Sequence, residues 1–126
     1  MSYSSITRIS SDHKVWLKSL EFYKDEIRTL QSRLTEVATK NTSFEARQGI
    51  EHFQNQFIVQ RNNIDELKHE MNHFADEVSH DVLHHAGHVS DVLVVEKKVL
   101  KEKYEDFERV MNGLRHEFND YLAKWM

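Results

Sequence analysis

"WLKSLEFYKDEIRTLQSRLTEV", from Trp16 to Val37, decides the fold. Its apolar residues Trp16, Leu20, Tyr23, Ile27, Leu30, Leu34 and Val37 recur in alternating steps of four and three. A helix turns once in about 3.6 residues, so this spacing gathers them into one coiled-coil-type seam. Asp12 or Ser11 is placed to cap the start by accepting a hydrogen bond from an unpaired backbone N–H. Asn41 is placed to end the helix in a left-handed conformation. The spacing therefore predicts a first helix over about 12–40, preceded by an N-terminal arm, residues 1–11, carrying Tyr3, Ile6 and Ile9 among serines.

The pattern continues outward. Thr42 with Glu45 reads as a capping box, each side chain satisfying a backbone donor in the other's turn. A second helix over about 43–86 follows, with the seam Ala46, Ile50, Phe53, Phe57, Gln60, Ile64, Leu67, Met71, Phe74 and Val78. Gln60 interrupts it, either fixing register or sitting at the edge. Past Val78 the seam meets Asp81, His85 and His88, and Gly87 offers a helix stop. Ser90 or Asp91 caps a third helix over about 90–124. Leu93, Leu100, Phe107, Leu114 and Tyr121 stand there at sevenfold spacing, with Val89, Val110, Phe118 and Trp125 beside them.

Composition agrees with an all-helical chain. Its 126 residues include no proline and three glycines, and 30% are charged, so the strongest helix breakers are nearly absent. The length suits one domain, 1–126. Short connections favour antiparallel neighbours. The expected fold is an all-α, elongated, antiparallel up-down-up three-helix bundle, coiled-coil-like, with helix 2 longer than helix 1.

Several function classes fall away. With no cysteine, disulfides, thiolate zinc sites and thiol catalysis are excluded. A net charge of −4 gives no overall attraction to nucleic acid or anionic lipid. The most basic stretch, "EKKVLKEKYEDFER" from Glu96 to Arg109, alternates its signs like a solvated helix face. "MSYSSITRISSDHK" lacks a secretory apolar stretch, and no segment approaches the ~18 apolar residues of a membrane span. A soluble, cytoplasmic chain with no nucleic-acid or membrane partner is expected. There is no glycine-rich phosphate loop, nucleophile elbow or dinucleotide fingerprint. Aromatic residues at seam positions read as core. No motif specifies a family, and none supports catalysis.

Unequal helix lengths supply the first functional expectation. At 1.5 Å per residue, helix 1 would span ~43 Å and helix 2 ~65 Å. From about Asn72 onward helix 2 would then pair with helix 3 alone, the serine-rich arm being thin cover. Val82, Leu83, Val89, Val92, Leu93, Val94 and Val95 place apolar groups on several faces of that hairpin tip. Such clustering invites a partner, and a second copy in a closed twofold dimer is the simplest one. The leading expectation is a non-catalytic interaction or scaffold protein that self-associates through this end, with room for an unidentified protein partner.

"HEMNHFADEVSHDVLHHAGH", His69 to His88, supplies the second. Its opening HExxH would need a third ligand and a cleft, whereas His69 and His73 lie opposite Leu67, Met71 and Phe74. Carboxylate-x-x-His pairs recur at Glu66–His69, Glu70–His73, Glu77–His80 and Asp81–His84, but the apolar seam of helix 1 offers none of the inward ligands a di-iron bundle requires. What remains is a possible metal set of His80, His84, Asp81, Glu96 and His88 near the second turn, with ligands suited to zinc, nickel or iron. The alternative function is thus a small metal-binding helical protein. The plainer reading is a solvated polar end with helical-spacing ion pairs. A third is acid sensing through His84 and His85 beside a dimer contact.

Overall fold

Three seams require three helices, and the chain forms α1 (Tyr3–Lys40), α2 (Phe44–His84) and α3 (Asp91–Trp125). The computed structural model describes the backbone of residues 3–84 and 90–126 and the side chains of 8–83 and 90–126. Cross-links fix the directions. Lys24 meets Asp65 at 3.0 Å, and Lys68 meets Glu21, so α2 runs antiparallel to α1. Lys103–Glu70 at 3.1 Å and Lys124–Glu45 at 3.5 Å run α3 antiparallel to α2. The architecture is the expected up-down-up three-helix bundle, with α2, at 41 residues, longer than α1, at 38.

The seams form one core. Trp16, Leu20, Tyr23, Ile27 and Leu34 of α1 face Phe53, Phe57, Ile64, Met71 and Phe74 of α2 in a continuous buried cluster. Gln60 is buried within the α2 seam, where its Oε1 accepts from Asn63 Nδ2 at 3.3 Å. On α3 the seam is Leu93, Leu100, Tyr104, Phe107, Met111, Leu114 and Phe118. Tyr104 and Met111 therefore occupy positions that sevenfold counting skipped, and Val110, expected beside the seam, is exposed. A helix of about 3.6 residues per turn keeps one face by alternating threes and fours, not by sevens alone.

α1 and α3 run parallel and are bridged by long side chains. Trp16 stacks on Tyr104 at 6.1 Å, and Tyr23 meets Phe107 edge-on at 5.5 Å. Tyr23 Oη donates to Glu108 Oε2 at 2.8 Å, and Arg115 donates to Glu26 Oε1 through both Nε and Nη2, at 3.1 and 2.6 Å. Burial, then the Glu108 bond, pushes the Tyr23 phenol well above its usual range, so it remains a donor.

The helix start of α1 departs from expectation. It begins at Tyr3, not near Asp12, and the residues expected as an arm continue the helix. Read backwards from Trp16, the four-three spacing passes His13 and reaches Ile9, which is buried. Extending an existing helix adds a hydrogen bond per residue without a new nucleus, and nothing here breaks it. Burying Ile9 contributes about 1.5–3 kcal/mol toward holding it. Asp12, expected as a cap, instead accepts from Lys97 at 2.7 Å.

Caps settle the connections. Ser43, not Thr42, starts α2: its Oγ accepts from Ala46 N at 3.2 Å. Asn41 Nδ2 donates to the carbonyls of Val37 and Trp125, at 3.0 and 2.9 Å, joining the ends of α1 and α3. Ser90 caps α3, as expected, with its side chain accepting from Leu93 N. The expected stop at Gly87 lies outside the described residues.

Candidate functional site

Among the described residues, those of the proposed metal and contact sets lie at the α2–α3 end. Its lower layer is closed by the first turns of α1. Ile9, Ser10 and His13 lie against Phe74, Ala75, Val78, Ser79 and Val82, so the expectation that α2 lacks an α1 partner beyond Asn72 is overturned. Near-equal helices bring this about: at 1.5 Å per residue α1 spans about 57 Å and α2 about 62 Å.

That cover divides the proposed contact set. Leu93 is a core residue and Val82 is half-buried against the core, so both are engaged within the chain. Leu83, Val92 and Val95 remain open, with 81%, 74% and 62% of their surfaces exposed, and Val94 is exposed on another side of α3. Val89 lies outside the described residues. Four consecutive residues, Val92 to Val95, wrap a whole helical turn, so one of them can face inward and the rest cannot.

The polar groups sort by helix face. Asp81 Oδ2 accepts from the backbone N–H of Ser90 at 2.7 Å, which ties the end of α2 to the cap of α3. Asp81 thus has a structural partner across the turn. Glu96 meets Glu77, and His73 Nε2 lies 2.9 Å from Glu77 Oε1 one turn earlier on α2. Desolvation, then the charge and hydrogen bond of Glu77, raises the Glu96 carboxyl above the usual range, while His73 pulls it down.

Of the proposed metal set, His80 is exposed and Asp81 half-buried, whereas Glu96 faces Glu77 and His73. The His84 side chain and all of His88 lie outside the described residues, as does His85 of the acid-sensing reading. Among the described residues no three histidine or carboxylate side chains are arranged to hold a metal ion. His69 and His73 of the HExxH both face water. The Glu77–Glu96 contact escaped sequence reasoning because antiparallel counting placed Glu96 beside His80 and Asp81; a contact between like charges leaves no compositional signal.

Among the described residues no helix is long and apolar enough to cross a membrane. Comparison of the chain with protein-family models, with curated proteins and with solved structures finds no match in any of the three.

Proposed function

We propose that this chain is a non-catalytic helical interaction module that pairs with a second copy through the outer surface of the α2–α3 end. The observation that supports it is the exposure of Leu83, Val92 and Val95 around a turn whose lower layer is already closed. Unequal helix lengths no longer contribute, because Ile9 covers that layer; the support is the surface itself. Fully burying one such side chain stabilises by about 1.5–3 kcal/mol, so a few of them covered together favour association. A twofold contact lets the same residues from each copy meet, and a closed dimer is the form expected.

Light scattering on the full chain at rising concentration tests this. A dimer that reverts to monomer on Val92→Ser with Val95→Ser supports the proposal. A monomer at high micromolar concentration, or a dimer indifferent to those changes, contradicts it.

A further inference from the structure

Val92, Val95 and Val99 stand on α3 in steps of three and four, and 74%, 62% and 44% of their surfaces are exposed. A helix turning once in about 3.6 residues gathers such a spacing into one stripe. It runs beside the buried seam of Leu93 and Leu100, so α3 carries a second, short seam that is open among the described residues. Charged residues border it. Asp91 and Lys98 follow the outer edge, seven residues apart, and both are exposed. Glu96 and Lys103, also seven apart, follow the edge nearer α2, where Glu96 meets Glu77 and Lys103 meets Glu70.

Charges bordering a helical seam decide how two such helices pair. Two parallel copies of α3 in register would bring Asp91 of one to Glu96 of the other, and Lys98 to Lys103. Both contacts join like charges. Antiparallel pairing with Val95 on Val99 of the second copy is no better, since Lys98 then meets Lys98, and Glu96 meets Glu96, across the twofold axis. One heptad closer to the turn the signs change. With Val92 on Val95 of the second copy, Asp91 comes beside Lys98 of the other chain, twice by symmetry, and the axis passes near Leu93 and Val94 at the open end. A pattern that complements itself favours a second copy over an unlike chain.

We propose that α3 crosses α3 of a second copy antiparallel, with Val92 on Val95 of that copy and an Asp91–Lys98 ion pair on each side of the axis. The inference rests on the self-association proposed above. To that reading it adds the orientation, the register and the two charged residues that select a like chain.

The test is sedimentation equilibrium of the full chain and of Asp91→Lys, Lys98→Asp and the double exchange. Each single exchange turns two attractive rim contacts into two repulsive ones and should weaken the dimer about ten-fold. The double exchange restores both pairs with their signs swapped, and should return the affinity to within about three-fold of the original. Lys98 lies beyond the first turn of α3, so its exchange leaves the helix start intact. A dimer that the single exchanges leave unchanged, or tighten as relief of Asp91 beside Glu96 in a parallel pair would do, overturns the inference while self-association stands. A double exchange as weak as the single ones overturns it equally. A chain that is monomeric at high micromolar concentration overturns both.

Discussion

The two ends of the bundle solve the same problem with different materials. At the α1–α2 turn, Phe53, Phe57, Phe118 and Tyr121 form an aromatic cluster with ring centroids 5.0–6.2 Å apart. Gly49 makes it possible: a Cβ there would stand 2.5 Å from the Tyr121 ring. The Tyr121 hydroxyl then donates to Ala46 O at 2.6 Å, and Asn41 ties off two helix ends. At the α2–α3 turn the core narrows to Ile9, Phe74, Val78 and Leu93, and Val92, Val94 and Val95 beyond them are exposed. One end is closed by large rings with satisfied polar tips, the other, among the described residues, by Phe74 and short aliphatic groups that leave a cleft and an open surface. Stability thus concentrates away from the surface proposed to meet a partner.

The largest effect that tests this contrast is at the aromatic end. Phe57→Ala should cost about 3–5 kcal/mol, because a fully buried ring leaves a cavity among other rings. Denaturant unfolding reads it, and a loss below about 1 kcal/mol would break the contrast. At the other end Ile9→Ala should cost about 2 kcal/mol, the low side for a buried isoleucine, since only the first turns of α1 depend on it. Hydrogen exchange should show the loss confined to the start of α1 and the end of α2. Smaller again, Tyr121→Phe and Ser90→Ala should each cost about 1 kcal/mol, one through a hydrogen bond and one through a cap.

The order of these effects also marks what the sequence disclosed. Alternating steps of four and three carried α1, α2 and most of their core, because the seam repeats over every turn, whereas sevenfold counting found α3 but passed over Tyr104 and Met111. The start of α1 was hidden because His13 occupies a seam position and Ser10 and Ser11 follow Ile9, so the apolar run is interrupted between Ile9 and Trp16. The choice of Ser43 over Thr42 turns on a single residue of helix phase, which composition does not contain. At the candidate site the exposed valines were legible as a run too long for one face. The inward one was legible too, since Leu93 opens the sevenfold row that continues through Leu100, Phe107 and Leu114, all buried.

The smallest effect is a pH dependence at the open end. Glu96 has a folded pKa raised above its ordinary 4.5, so the folded state holds its proton more tightly than the unfolded chain. Its contribution is therefore fully present below 4.5 and is lost as pH rises through the folded pKa. Glu96→Gln keeps the hydrogen bond to Glu77 without the charge, and should stabilise the protein at pH 7 while changing little at pH 4.5. Equal effects at the two pH values would show that the Glu77–Glu96 contact carries no proton linkage.

The central claim is that copies meet at the open end and not at the aromatic one. The chain has no cysteine, so single spin labels can be placed at Lys98→Cys on exposed α3 near the open end and at Lys124→Cys near the aromatic end. Pulsed dipolar measurement on each labelled protein should give an intermolecular distance for the label at 98 that is shorter than for the label at 124. A shorter distance at 124, or no intermolecular coupling at 98 in concentrated solution, would contradict it.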